Sequence, residues 1–166
     1  MAISDTDRTF LTRAVDLAEQ ALTAGDQPFG SVLVSADGTV LFEDHNHVAS
    51  GDHTQHPEFA IARWAAANLN PTERADCVVY TSGEHCPMCA AAHGWVGLGR
   101  IVYAASSALL VQWSAELGLP ASPVAALPIE QVVPGAVVEG PDPELAERVL
   151  GLHARRADVT RPAAGR

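Results

Sequence analysis

Apolar residues between Asp5 and Ala24 fall at Phe10, Leu11, Ala14, Val15, Leu17, Ala18, Ala21 and Leu22, the three-and-four spacing of one helical face. This predicts a first amphipathic helix with Gly25 as its stop. The period then changes. In SVLVSADGTVLFED two β-rich runs flank Ala36-Asp37-Gly38-Thr39, and an Asp-Gly pair between such runs signals a hairpin. Pro57 to Leu69 is alanine-rich, with Pro57 suited to a first helical turn, and Ala75 to Thr81 is a short run of buried-strand character. A helix from about Cys86 to Trp95, a strand over Arg100 to Ala105 and a helix around Ala108 to Leu117 follow. A proline-punctuated stretch leads to a last helix from Pro143 to about Arg155, and the tail ADVTRPAAGR, residues 157–166, is expected to be disordered. There is no internal repeat and no long linker. Strands alternating with helices argue for an α/β sandwich whose later strands run parallel.

Composition narrows the class. At 166 residues and 48% hydrophobic content the chain suits one compact domain with a real core. No apolar stretch approaches a membrane span, and MAISDTDRTF has neither the basic nor the apolar region of a signal peptide, so a soluble, cytoplasmic protein is expected. Three cysteines are too few and too odd for a disulfide framework. A CxxC in a reducing compartment points to metal or redox chemistry instead.

Charge is uneven. Residues 1–147 hold 19 acidic side chains against 5 arginines, a net of −14, whereas residues 148–166 hold 5 arginines and only Asp158, a net of +4. Lysine is absent. An acidic body repels phosphodiester backbones, which disfavours a large nucleic-acid footprint.

Two short segments carry chemistry: HPE at 56–58 and CPMC at 86–89. Each opens a predicted helix, where unpaired N–H groups and the positive dipole end favour a thiolate. Cys86 and Cys89, at i and i+3, share a helix face. One imidazole and two thiolates make a three-ligand zinc set with its fourth position left to water, the pattern of a catalytic site. Glu58 lies close enough to address that water without being a ligand. A closed site recruiting Cys77 is the alternative, but it leaves Glu58 without a role. His45, His47 and His53 read as surface or loop histidines. Trp64 reads as packing, while Trp95 and Trp113 suit either stacking on a heterocycle or a subunit interface.

HxE followed by PCxxC is the signature of zinc deaminases. With PFGSVLV and the following DG, HNHV, HPEFAIARWAA and TSGEHCPMCAAA in order, residues 8–106 resemble the cytidine deaminase superfamily, more closely its nucleobase and tRNA-adenosine deaminase branch and guanine deaminase-like members. The resemblance implies a three-layer α/β/α sandwich with a five-stranded mixed sheet over a domain spanning 1–156. It also implies one zinc per chain on His56, Cys86 and Cys89, a proton shuttle at Glu58, and a homodimer. It further gives Asn46 a hydrogen bond to substrate, sets Phe29 in the pocket wall and places backbone groups of Ser82, Gly83 and Glu84 near the exocyclic amine. Alternation along an extended run from Val40 points Asn46 opposite to His45 and His47. Two positions depart from the family pattern: Pro57 replaces the usual alanine, and His85 replaces the usual proline beside the first cysteine, adding a titratable ring to the substrate side.

The implied activity is hydrolytic deamination of a small amino-substituted heterocycle. A guanine-type base comes first, with cytosine, adenine or another aminopurine, pteridine or triazine behind it. The alternatives are a tRNA adenosine deaminase and a non-catalytic structural subunit of the same fold. Gln112, Glu116 and His153 are candidate substrate readers from the C-terminal segment.

Overall fold

The computed structural model describes residues 3–160. Helix α1 (Asp5–Thr23) starts at a capping box, in which Ser4 Oγ accepts from Asp7 N–H at 3.1 Å and Asp7 Oδ2 accepts from Ser4 N–H at 2.9 Å. It ends at Gly25, whose φ of 92° is left-handed backbone. Strands β1 (Gly30–Val34) and β2 (Val40–His45) form the hairpin announced by Asp37-Gly38. Then come α2 (Pro57–Asn68), α3 (Pro71–Asp76), β3 (Val78–Gly83), α4 (Pro87–Val96), β4 (Arg100–Ala105), α5 (Ser107–Glu116), α6 (Ile129–Val132), β5 (Val138–Glu139) and α7 (Pro143–Thr160).

The five strands make one mixed sheet in the order β2-β1-β3-β4-β5, antiparallel at β1/β2 and β1/β3 and parallel at β3/β4 and β4/β5. Strand alternation divides the core between two faces. Val32, Val34, Tyr80 and Val102 pack with Leu11, Val15, Val149 and Leu152 of α1 and α7. Leu33 and Val79 pack with Ile61 and Ala65 of α2, and Ile101 packs with Ala90 of α4 and Ile129 of α6. The result is the expected α/β/α sandwich. Gly30 is what lets α1 lie directly on the sheet: a Cβ there would stand 2.5 Å from the Ala14 carbonyl.

Three local readings change. Residues 71–76, assigned partly to a strand, form α3, because Asn70 and Glu73 make a second capping box. The proline-punctuated stretch holds α6 and β5, too short to leave a periodicity. The last helix runs on through 157–160, which corrects the expectation of disorder there: Ala157 is buried, and Arg156 Nη1 donates to the Gly25 carbonyl at 2.9 Å. The remainder of the predicted tail, 161–166, lies outside the described residues. Among the described residues no helix is long and apolar enough to cross a membrane. Trp64 stacks on Phe42 at 5.5 Å and Trp113 is in the core, whereas Trp95 is 91% exposed.

Candidate active site

His56 is the N-cap of α2 and Cys86 the N-cap of α4, each followed by a proline at the first helical position, where no N–H is missed. Extended backbone at both caps turns the side chains across the helix starts. Cys89 follows one turn into α4 and is fully buried. The sequence thus brings three donors together from two helix N-termini.

The triangle is regular. Cys86 Sγ lies 3.6 Å from Cys89 Sγ and 3.6 Å from His56 Nδ1, and Cys89 Sγ lies 3.6 Å from the same nitrogen. Tetrahedral zinc with ordinary Zn–S and Zn–N bonds needs such donors about 3.5–3.8 Å apart. The three residues therefore present one face of a zinc tetrahedron and fit that ion. Their charge states are coupled. A hydrogen bond from the Cys89 thiol, with His56 beside it, holds Cys86 down to about 4, while that shared proton and burial push Cys89 up. The hydrogen bond to Cys86 likewise raises His56 against its burial. Cys77 is elsewhere, packed with Leu33, Ile61 and Val79, and burial raises its thiol. A closed four-ligand site is not formed.

Glu58 follows two residues after His56 and is only 6% exposed. Burial raises its carboxyl above the usual range, and its charge helps to raise the neighbouring Cys89. Its Oε1 accepts from Thr81 Oγ1 at 2.8 Å and from Ser31 Oγ at 2.9 Å. The two hydroxyls are 2.9 Å apart, and Thr81 Oγ1 is 2.9 Å from the Gly83 carbonyl. Both protonation states of Glu58 are satisfied by these contacts. The carboxylate takes both hydroxyl protons at Oε1, and the acid, protonated on its other oxygen, still accepts them there. Ser31 and Thr81 were missed from sequence. The available signal was Ser31 as the one polar side chain of buried β1 and Thr81 beside Ser82 in buried β3, where a buried polar group requires a partner.

Around this centre, Asn46 is 1% exposed; its N–H donates to the Phe29 carbonyl at 3.0 Å and its Oδ1 accepts from Val48 at 3.0 Å. Its Nδ2 is buried without a partner. Phe29 closes over Gly83, where a Cβ would meet its ring at 3.0 Å, and its other neighbour is the His153 ring at 5.2 Å. Ser82 Oγ accepts from Gly30 N–H at 3.1 Å. His85 is buried with Nδ1 unpartnered, its ring 5.4 Å from His93, and burial holds it well below the usual imidazole range.

Glu84 is committed to the fold. Its Oε2 accepts from Ser107 N–H at 2.7 Å, its Oε1 from Ile129 N–H at 2.9 Å, and its own N–H donates to Ala105 at 2.8 Å. Gln112 and Glu116 are not brought to the site: they pair with each other at 2.8 Å on the exposed side of α5. Of the three C-terminal candidates only His153 is brought against Phe29, with its Nε2 buried and unpartnered.

Comparison with known proteins agrees with this geometry. Residues 4–105 match the family described as cytidine and deoxycytidylate deaminase zinc-binding region. The chain is 31% identical over 116 residues to a probable cytosine deaminase of Schizosaccharomyces pombe, covering 70% of each protein. It is 43% identical over 99 residues to guanine deaminase of Bacillus subtilis, covering 58% of this chain and 63% of that protein. tRNA-specific adenosine deaminases are among the further relatives. The fold matches the structure of guanine deaminase from Nitrosomonas europaea with a TM-score of 0.69 at 18% identity, covering 95% of this chain and 86% of that one. The chain belongs to the cytidine and deoxycytidylate deaminase family, as a zinc-binding deaminase domain whose His56, Cys86 and Cys89 are grouped for the metal.

Proposed function

We propose that the chain removes the exocyclic amine of a small aminated heterocycle by hydrolysis, with a guanine-type nucleobase as its first substrate class. The observation that carries this reading is the buried Glu58 carboxyl, next to the three-donor face and held through one oxygen by two hydroxyls. Zinc on His56, Cys86 and Cys89 supplies Lewis acidity that readies water for attack near neutral pH. Glu58 accepts the proton of the attacking water through its other oxygen and returns it to the ring nitrogen. It then assists the departing amine in the same way, so one C–O bond forms, one C–N bond breaks and ammonia leaves.

Asn46 Nδ2, buried and unpaired, is the donor assigned to a ring acceptor, and Phe29 supplies an apolar wall. The Gly83 carbonyl, holding Thr81 with one lone pair, keeps the other for the substrate amine. Neutral His85 lines the same side, beside Cys86. A structural subunit would have no use for a buried acid satisfied in both protonation states. Guanine is favoured by the identity to the Bacillus subtilis enzyme, and tRNA is disfavoured by the acidic body. A homodimer is the assembly we assign, with exposed Trp95 as its contact.

The test is ammonia release by the purified zinc-loaded protein from guanine, cytosine, adenine, their nucleosides, and amino-substituted pteridines and triazines. Fastest turnover of free guanine is expected. Turnover of none of these, beside tight tRNA binding that persists at moderate salt, overturns the small-molecule reading.

A further inference from the structure

A second group of potential ligands lies outside the Glu58 centre. Asp26, His45 and His47 each offer a donor atom, all within 4.8 Å of one another. They come from three places: Asp26 from the α1–β1 connection, His45 from the last position of β2, and His47 from the cap of the 3₁₀ turn Val48–Ser50. From sequence alone both histidines read as surface residues. We propose that this group is a second site for a divalent first-row transition ion, of the zinc class.

Three observations point there. Each imidazole already has one nitrogen tied to a pure acceptor: His45 Nδ1 to the Asn46 carbonyl at 2.9 Å, and His47 Nε2 to Asp44 Oδ1 at 2.8 Å. The tied nitrogens therefore carry the protons, and His45 Nε2 and His47 Nδ1 keep lone pairs. Carbonyl and carboxylate partners behind the ring are the outer shell that metal-ligating histidines use to fix tautomer and orientation. Secondly, Asp26 is only 6% exposed and makes no ion pair among the described residues; its hydrogen bond is from Ala49 N–H to Oδ1 at 2.7 Å. A buried carboxylate without a cation is costly, and a metal is one of the few partners that removes the cost. Thirdly, the His45 and His47 rings stand 4.4 Å apart, close enough for one ion to meet both.

Two imidazoles and one carboxylate select transition ions over calcium or magnesium, which take oxygen sets. The geometry also ranks the two sites. The His56 triangle already has the spacing of a tetrahedral face. Here donors up to 4.8 Å apart must close to about 3.3–3.5 Å, which His47, 47% exposed at its side chain, is free to do. The second site is therefore the weaker one. Occupied, it would tie the α1–β1 connection to the segment carrying Asn46, which lies between the two histidines in the chain.

The experiment is a calorimetric titration of the full chain, already holding one zinc, with zinc chloride, followed by elemental analysis after desalting. The wild type is expected to take up a second, weaker equivalent and to gain melting temperature as free zinc rises. His47→Gln, an exposed substitution that spares the fold, and Asp26→Asn should each lose that equivalent and the temperature gain while keeping the first zinc. Cys86→Ser should lose the first and keep the second. Uptake of one equivalent only by the wild type overturns the proposal, and so does a second equivalent that survives in both His47→Gln and Asp26→Asn.

Discussion

Thr81 Oγ1 lies 2.8 Å from Glu58 Oε1, and the hydroxyl of Ser31 reaches the same oxygen at 2.9 Å. Two adjacent central strands thus hold one oxygen of the proposed shuttle and leave the other for reaction. A hydrogen bond to a charged group is worth about 1.5–3 kcal/mol, so Thr81→Val, nearly equal in shape, should lower kcat by roughly 10- to 100-fold. Zinc content should not change, and Thr81→Ser should recover most of the rate. Wild-type kcat in Thr81→Val would show that the helix and Ser31 position the carboxylate without Thr81.

Glu84 has a different task. Its two oxygens accept the first N–H groups of α5 and α6 and so fix the segment after β4 to the end of β3. Glu84→Ala leaves two buried donors unpaired at about 1–3 kcal/mol each, and a clear fall in melting temperature is expected. Glu84→Gln, with one acceptor oxygen, should fall between. Thermal unfolding of both variants checks the order; an unchanged transition in Glu84→Ala would remove this structural role.

His153 makes stability sensitive to acid. Burial lowers it to about 4 in the folded chain, against about 6.5 when unfolded. Its contribution is intact above pH 6.5, because both states are then neutral. As pH falls from 6.5 towards 4 the unfolded chain takes up a proton that the folded chain refuses, and stability drops, by about 2 kcal/mol at pH 5. Buried His85 and His93 are shifted downward as well and act in the same direction. Urea unfolding at pH 7 and pH 5 should therefore show a loss that is smaller in His153→Phe. An equal loss in that variant would place the acid sensitivity elsewhere.

The metal set has a simple discriminator. Cys86→Ser should abolish stoichiometric zinc at the site, while Cys77→Ser, whose thiol sits in the core beside Ile61, should retain it. Zinc lost from a folded Cys77→Ser protein would revive the four-ligand alternative.

The parts legible in the sequence were those with a local cause. The spacing of apolar residues in α1, the Asp37-Gly38 turn and the two ligand-bearing helix starts each follow from a few neighbouring residues. The parts missed depend on distant ones. α7 continues past Arg155 because Ala157 finds burial and Arg156 reaches Gly25, more than 130 positions earlier in the chain. Ser31 and Thr81 gain their meaning from strand register, which sets them opposite one another across β1 and β3. The Glu84 side chain, to which the sequence assigns no local partner, is claimed by amides that only the folded chain brings to it.

Glu58→Gln is the sharpest test of the chemistry. The amide is the same size, and its carbonyl oxygen still accepts from Ser31 and Thr81, so fold and zinc content should be preserved. It cannot take a proton from water or return one to the ring. General acid-base groups contribute about 10²- to 10⁴-fold, and here one residue serves both steps, so the loss of kcat should reach the upper end of that range or pass it. Substrate binding should persist, because Asn46 and Phe29 are untouched. Measuring kcat, zinc content and a binding titration on the same preparations separates the possibilities. A variant that kept more than about a tenth of wild-type kcat would have lost less than proton transfer requires, and Glu58 would not be the shuttle. A variant inactive only because zinc was missing would make Glu58 a support for the metal instead.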